Sequence, residues 1–278
     1  MPDAYYQLLD AAIQHLETLK SRGVRFVSVA PENLAALARP MPARPIPARP
    51  AAPAIQPPPA AAPPIVAVAS ANPDKAAAFA ALRERVMPCV KCPHLAASRQ
   101  TVVFGVGNID ASLMFVGEAP GADEDAQGEP FVGKAGQLLT RVIQTMGFQR
   151  DSVYIANILK CRPDTPGQTA GNRKPTAEEM ATCIPWLHEQ IDLIQPQVLV
   201  ALGGTAVEGL LGKTVGIMKL RGQWQTYRNI PLMPTYHPAY LLRNQSLAEK
   251  RKLWEDMLAV LEKLALPVTE KQRNYFRG

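Results

Sequence analysis

Short apolar runs alternate with longer amphipathic segments through the C-terminal part of the chain. Four runs have the length and composition of buried strands, and they cover residues 112–118, 153–159, 198–204 and 232–237. Between them, "AGQLLTRVIQTMG", "TAEEMATCIPWLHEQIDLI" and "TAVEGLLG" have helical spacing, and Thr176 with Glu179 forms a capping-box sequence. Strands that alternate with helices form a parallel sheet covered on both faces. We therefore predict an α/β fold with three layers, α/β/α, around a central four-stranded parallel sheet.

The N-terminal part of the chain has a different pattern. Residues 1–30 include "YYQLLDAAIQHLETLKSRG", whose apolar positions predict one amphipathic helix ending near Gly23. An isolated helix of this length is marginally stable in water, so we interpret it as a docking element for a protein partner, with a lone tethered helix as the alternative. Residues 31–75 contain 13 of the 27 prolines and predict a disordered linker.

Composition and charge limit the class of protein. We expect a globular domain over residues 76–266 and a basic C-terminal tail over residues 267–278. The formal charge of +6 suits a polyanionic partner such as nucleic acid. No apolar stretch reaches membrane-spanning length, and the N-terminus lacks an export signal. We expect a monomeric, cytoplasmic protein.

The four cysteines all fall within the predicted globular domain. Cys89 and Cys92 form a Cys-x-x-Cys pair, and Cys161 and Cys183 follow. In a cytoplasmic protein this arrangement favours a four-thiolate metal site over a disulfide framework. Structural Zn²⁺ and an iron–sulfur cluster both fit the spacing, and four unrelated buried cysteines are the remaining alternative.

The stretch "GEPFVGKAGQLL" has the glycine and lysine spacing of a phosphate-binding loop, from Gly128 to Gly133 and Lys134. Ala135 stands where such a loop needs Ser or Thr to hold Mg²⁺, and the preceding strand ends ten residues before Gly128. We predict that this stretch does not bind a nucleotide.

The residues that end the predicted strands are the best candidates for a functional site. In an open parallel sheet the site lies beyond the carboxyl ends of the strands. These ends carry the segment 118–121, Asn157, the pair Gly203 and Gly204, and His237 followed by Pro238.

Three segments carry a resemblance to a known family. Residues 117–139, "GEAPGADEDAQGEPFVGKAGQLL", closely resemble the uracil-pocket motif of the family 4 uracil-DNA glycosylases, and "ANILKCRP" and "HPAYLLR" resemble that family's second and third motifs. The resemblance covers roughly Ala80 to Leu266. It implies a uracil-DNA glycosylase-like fold and a [4Fe–4S] cluster on the four cysteines, with zinc as the less favoured alternative. One departure is the 21-residue interval between Cys161 and Cys183, which contains "DTPGQTAGN".

The implied function is that of a monofunctional uracil-DNA glycosylase in base excision repair. Such an enzyme flips uracil out of DNA and hydrolyses its N-glycosidic bond, leaving an abasic site. Phe131 would stack on the base, Asn157 would accept from N3–H and donate to O4, and His237 would donate to O2 as negative charge develops. Backbone N–H groups around Ala119 and Gly121 would complete the anion pocket.

The attacking water needs a carboxylate to orient it. Ala119 occupies the position where the best-studied branch of the superfamily carries an Asp, so the candidates are Glu118, Glu124 and Asp125. We predict Asp125 as the water-positioning residue and Glu118 as a pocket-lining partner, and interpret Asp123 as a solvated turn residue.

Contacts to DNA are predicted from cations and from an apolar wedge that fills the space left by the flipped base. The predicted contacts are Lys134, Arg173, Lys174, Leu241, Leu242 and Arg243. A place in the core is the alternative for one of the two leucines. A different class of protein, a metal-stabilised DNA-binding module without catalysis, is the alternative function, but it would need neither Phe131, Asn157 nor His237.

Overall fold

The computed structural model describes residues 73–165, 172–212 and 215–277. The predicted N-terminal helix and almost all of the predicted linker lie outside these ranges.

A single mixed sheet forms the centre of the described domain, with strand order β1-β3-β2-β4-β6-β5. The strands are β1 (Val106–Gly107), β2 (Leu113–Gly117), β3 (Tyr154–Asn157), β4 (Val198–Leu202), β5 (Gln225–Tyr227) and β6 (Ile230–Thr235). The four central strands, β3, β2, β4 and β6, pair in parallel, which confirms the predicted central sheet. The edge strands β1 and β5 pair antiparallel and extend it to six strands.

Helices cover both faces of the sheet. Those described are α1 (Pro73–Val86), α2 (Pro93–Ser98), α3 (Ala122–Gln127), α4 (Lys134–Met146), α5 (Ala177–Ile194), α6 (Gly204–Leu211), α7 (Ile217–Leu220), α8 (Pro238–Arg243), α9 (Leu247–Lys263) and α10 (Glu270–Asn274). Successive side chains of a strand point to opposite faces, so Met114 and Val116 pack with α1, α5 and α6, whereas Leu113 and Phe115 pack with α4 and α9. The predicted three layers are confirmed.

The start of α5 confirms the predicted capping box. The Thr176 hydroxyl accepts from the Glu179 backbone N–H at 3.1 Å, and the Glu179 carboxylate accepts from the Thr176 N–H at 2.8 Å. Two otherwise unpaired N–H groups at the helix start are thereby satisfied.

The C-terminal segment packs against α9. The Trp254 indole N–H donates to the Gln272 carbonyl at 2.6 Å, and Arg251 donates to the Tyr275 carbonyl at 2.8 Å. Much of this segment is therefore held on the domain surface.

None of the helices in the described ranges combines the length and apolar character required to cross a membrane.

Candidate active site

The parallel register brings the predicted strand ends together at one edge of the sheet. Gly117 at the end of β2 pairs with Asn157 at the end of β3. On the other side, the Gly203 N–H donates to the Thr235 carbonyl at 2.9 Å, so the residues after β4 lie beside those leading from β6 to His237.

Gly117 makes room for two side chains that meet over it. A Cβ atom at this position would overlap Oδ1 of Asn157 and would lie 2.5 Å from Cζ of Phe131. The amide of Asn157 and the ring of Phe131 therefore approach each other across the Gly117 backbone. The sequence interpretation placed Gly117 in a strand and missed this role, because a strand glycine only signals a close approach in general.

The backbone holds Phe131 in an unusual conformation. Its φ is +55°, a left-handed conformation that is costly for a bulky residue. A Cβ at Gly136 in α4 would overlap the Phe131 carbonyl, so the loop can pack this closely only against glycine. The buried Phe131 ring has its centroid 5.6 Å from that of His237, with 31° between the ring planes. This gives the pocket one aromatic wall.

Asn157 presents a buried acceptor to the pocket. The residue is 2% exposed, and its Oδ1 has no hydrogen-bond partner among the described residues. An unpaired buried polar atom costs about 1–3 kcal/mol. A ligand N–H donor at this point would remove that cost.

His237 caps the start of α8 in a defined tautomer. Its Nδ1 accepts from the Ala239 N–H at 3.1 Å, so the neutral ring carries its proton on Nε2. Burial, with a further contribution from the charge of Arg243, lowers the pKa of His237 to about 4. Near neutral pH the ring is therefore an uncharged donor from Nε2.

We expect the ring of His237 to stay neutral in an NMR titration until the pH approaches 4. In the unfolded chain a histidine has a pKa of about 6.5, so the unfolded state binds the proton first. The free energy of unfolding should therefore fall, through this group, as the pH is lowered from about 6.5 towards 4. In a His237→Gln variant this part of the pH dependence should disappear. A His237 titration midpoint near 6.5 in the folded protein would contradict the assignment.

Glu124 holds the loop that carries Phe131. Its Oε1 accepts from the N–H groups of Val132 and Gly133 at 2.9 and 3.0 Å, and its Oε2 accepts from the Gly121 N–H at 3.0 Å. The Gly121 N–H is thus already used by Glu124, and the anion pocket of N–H groups around Ala119 and Gly121 stays a prediction. A carboxylate also occupies N–H groups that a phosphate-binding loop would offer to phosphate.

Asp125 is placed differently from the prediction. Its side chain is 1% exposed, and its two carboxylate oxygens accept from the backbone N–H groups of Gln100 and Thr101 at 3.0–3.2 Å. These contacts fix the segment that follows α2. The predicted water-positioning role does not fit Asp125, because its carboxylate is buried and occupied by backbone donors.

Glu118 directly follows Gly117 and is half-buried. Its carbonyl accepts from the Leu159 N–H at 3.1 Å, while its carboxylate has no hydrogen-bond partner within the described part of the chain. Ala119, also half-buried, packs against the core on the α5 side. Asp123 is exposed, as predicted for a turn residue, although here it lies in the first turn of α3.

The four cysteines line one cavity on the α5 side of the sheet. Cys89 follows α1, Cys92 is the N-cap of α2, Cys161 follows β3, and Cys183 lies within α5. Two protein donors reach the sulfur atoms: Arg99 Nη1 lies 3.1 Å from Cys161 Sγ, and the Lys160 N–H lies 3.3 Å from Cys183 Sγ.

Trp186 lies one helical turn after Cys183 and lines the same cavity. Lys91, between the first two cysteines, lies 4.2 Å from the centroid of the Trp186 ring. The indole Nε1 is buried and has no acceptor within the described ranges.

The donor set of the cavity fits a metal cluster. Burial raises the pKa of the Cys183 thiol to about 12, so a bound cation is needed to keep it as a thiolate near neutral pH. Across the described ranges, no group of three His, Cys, Asp or Glu side chains is placed to hold a single metal ion. The thiols that line this cavity are the donor type that both structural zinc and iron–sulfur clusters use.

The predicted DNA contacts divide into accessible and occupied residues. Lys134 at the start of α4 and Arg243 at the end of α8 are exposed. Leu241 is 4% exposed and belongs to the core beneath α8. This is the alternative given for one of the two leucines, and the contact of Leu241 with DNA stays a prediction that would require it to leave the core. Leu242 is half-buried.

Two further cations are engaged within the protein. Arg173 donates to the buried Glu179 at 2.8 Å, and this pairing lowers the pKa of Glu179 to about 2. Lys174 pairs with Glu208 at 2.5 Å. In this structure both cations are paired with carboxylates, and their contact with DNA stays a prediction.

Comparison with known proteins identifies the class. The model of the family described as "Uracil DNA glycosylase superfamily" matches residues 104–258, which contain Phe131, Asn157 and His237. The chain belongs to the uracil-DNA glycosylase superfamily.

Within this superfamily, the chain is similar to several type-4 uracil-DNA glycosylases. It is 47% identical to that of Thermotoga maritima over 179 residues, covering 63% of this chain and 88% of the relative. It is 39% identical to that of Sulfurisphaera tokodaii over 206 residues, covering 71% and 89%. Similarity to a type-5 uracil-DNA glycosylase of Pyrobaculum aerophilum is lower, at 30% over 190 residues, covering 56% and 80%. The resemblance to family 4 is confirmed.

Proposed function

We propose that this protein is a uracil-DNA glycosylase that flips uracil out of DNA and hydrolyses its N-glycosidic bond, leaving an abasic site for base excision repair. The observation that carries the proposal is the unpaired, buried Oδ1 of Asn157, beside the ring of Phe131 over Gly117. Uracil supplies the N–H donor that this acceptor lacks.

Three residues of the pocket each make a different contact with the base. Phe131 stacks on the uracil ring. Asn157 accepts from N3–H and donates to O4. His237, neutral and protonated on Nε2, donates to O2 and stabilises the negative charge that develops as the uracil departs. A neutral donor suits this role because protonation of Nδ1 would break its bond with the Ala239 N–H.

The water that attacks the sugar needs a carboxylate in reach. Glu124 is occupied by three backbone donors and Asp125 by two. Glu118 alone of the three predicted candidates has a carboxylate free of hydrogen bonds among the described residues. We assign it the water-positioning role in place of Asp125. DNA phosphates would contact Lys134 and Arg243, which are exposed.

Cys89, Cys92, Cys161 and Cys183 would hold a [4Fe–4S] cluster. The cavity that the four thiols line and the similarity to type-4 uracil-DNA glycosylases support the cluster over a single zinc ion. Ligation by these four cysteines would link α1, α2, α5 and the segment after β3, and the hydrolysis would need no electron transfer from the cluster.

Replacing Cys183 with Ser should remove most of the bound iron and destabilise the fold. A chain of this size loses about 2–4 °C in Tm per kcal/mol, and we expect a decrease of roughly 10 °C. Iron content, visible absorbance and thermal unfolding measure the effect. Thr182→Ser, at the neighbouring position of the same cavity, is the control and should retain its iron. A stable, iron-free wild-type protein with stoichiometric zinc would contradict the cluster assignment.

The remaining parts of the chain have supporting roles in this proposal. Residues 1–30 would dock a protein partner and residues 31–75 would act as a spacer. The catalytic unit would be a monomer in the cytoplasm, where the cysteines stay reduced for metal binding.

The proposed activity is tested by incubating the metal-loaded protein with a single-uracil oligonucleotide and cleaving abasic sites with alkali. We expect cleavage at the uracil position and none in the matched thymine oligonucleotide. An Asp123→Asn variant, altered at an exposed residue of the same segment, should retain the activity. Binding of the oligonucleotide without abasic sites would favour the alternative, a non-catalytic DNA-binding module.

A further inference from the structure

Lys160 is a buried cation between the cysteine cavity and the base-reading residue Asn157. It is 1% exposed and immediately precedes Cys161. Its Nζ donates to the Asn157 carbonyl at 3.1 Å and to Gln190 Oε1 at 2.6 Å. Its backbone N–H donates to Cys183 Sγ at 3.3 Å, so one residue contacts both sites.

A buried ammonium group is expensive to desolvate unless a partner compensates it. No carboxylate forms an ion pair with Lys160 in the described part of the chain, and its acceptors are a backbone carbonyl and a side-chain amide. An aliphatic side chain would fill the same space without this desolvation. Packing alone therefore does not explain why a lysine occupies this position.

The hydrogen bonds around Lys160 form a network in which each group has a fixed role as donor or acceptor. An ammonium group only donates, so it turns the Oε1 of Gln190 towards itself. The Nε2 of Gln190 then donates to the Phe104 carbonyl at 2.9 Å and to the Tyr154 hydroxyl at 3.0 Å. Tyr154 begins β3 and Asn157 ends it, so the network holds both ends of this strand.

The contact with Asn157 fixes the peptide plane that follows this residue. Its carbonyl accepts from Lys160 Nζ, and the N–H of the same peptide group, from Ile158, donates to the Gly117 carbonyl at 3.0 Å. Held on both sides, the plane fixes the Asn157 backbone, and with it the direction in which the side chain leaves the strand. That direction decides whether the amide meets the base beside Phe131.

We propose that Lys160 is a positioning residue that holds the Asn157 amide in its base-reading orientation through the carbonyl of Asn157. The inference rests on the proposed function of the pocket. It adds a residue that does not touch the base, and that residue connects Asn157 with two of the cysteines, Cys161 next to it in the chain and Cys183 in α5.

The test compares two variants of the metal-loaded, full-length protein. Lys160→Met keeps the length of the chain and removes the donor to Asn157. Tyr154→Phe breaks the far end of the same buried network and leaves the Lys160 contact with Asn157 in place. In single-turnover assays at saturating enzyme and below both melting temperatures, we expect Lys160→Met to excise uracil at least about tenfold more slowly, since small misplacements of a reacting group have effects up to about 10²-fold. Tyr154→Phe should stay within about twofold of the wild type.

A second readout is independent of activity. The side-chain amide resonances of Asn157, recorded on ¹⁵N-labelled protein, should shift in Lys160→Met and keep their wild-type positions in Tyr154→Phe, while iron content stays at the wild-type level in both. Should the Met variant fail to fold, Lys160→Leu serves in the same comparison.

The outcomes separate the inference from the proposed function. A Lys160→Met variant that is less stable but excises uracil at the wild-type rate overturns the positioning role, as does an equal rate loss in both variants. A wild-type protein without uracil excision refutes the proposed function, whereas the amide resonances still decide whether Lys160 positions Asn157.

Discussion

Replacing His237 with Ala is expected to lower the rate of uracil excision about 10²–10³-fold, the range for removal of one donor from a site that stabilises developing negative charge. The Nε2 proton is available because Nδ1 is committed to the Ala239 N–H. The loss should lie in the single-turnover rate more than in DNA affinity, since the donor acts mainly as charge develops on the base.

His188→Ala is the matched control for this experiment. His188 contacts the Tyr227 hydroxyl at 2.5 Å, on a different part of the surface from the pocket. It should excise uracil at the wild-type rate. If His237→Ala kept a rate within about threefold of the wild type under single-turnover conditions, His237 would not contact the departing base.

Replacing Asn157 with Asp is expected to slow uracil excision at least about tenfold, corresponding to ~1.4 kcal/mol. The change removes the donor to O4 and sets a second oxygen against it, in a position that is 2% exposed. Weak release of cytosine can accompany this loss, because the new oxygen accepts from the cytosine amino group. Single-turnover assays on uracil and cytosine oligonucleotides measure both effects.

Asn108→Asp is the control for the Asn157 variant. Asn108 Oδ1 accepts from the Asp110 N–H at 2.9 Å in a loop before β2, a bond that an aspartate retains. Uracil excision at the wild-type rate by Asn157→Asp would show that Asn157 does not read the base, and the pocket would have to be relocated.

The strand pattern was sufficient to predict the central sheet and the edge at which the candidate residues meet. The β2, β3, β4 and β6 runs are continuous and apolar because helices cover both faces. Their parallel pairing follows from the helices between them, and this pairing brings Asn157 and His237 to one edge. The edge strands β1 and β5 were not predicted. They have only two and three residues, which are partly buried or exposed, so they form no apolar or alternating run in the sequence.

The roles of the three candidate carboxylates could not be predicted from the sequence. Glu118, Glu124 and Asp125 lie within eight residues, and nothing in their spacing separates them. Their roles depend on where backbone N–H groups from residues 100–101 and 132–133 point after folding. The same holds for Lys174, which pairs with Glu208, and for Leu241, which packs with residues of α4 and α9.

Local chemistry in the sequence thus determined the layered fold, the four candidate cysteine ligands and the strand-end positions of Asn157 and His237, because periodicity, spacing and residue type are properties of the chain itself. The role of Phe131 is what the family resemblance implies. Only the tertiary structure decided which acceptor stays unpaired in the pocket, which carboxylates are already occupied, and that Lys160 joins the cysteine cavity to Asn157. Hydrogen-bond partners, burial and close approach to Gly117 arise when segments far apart in the chain meet. The pattern of residues along the chain does not specify the distances between such segments.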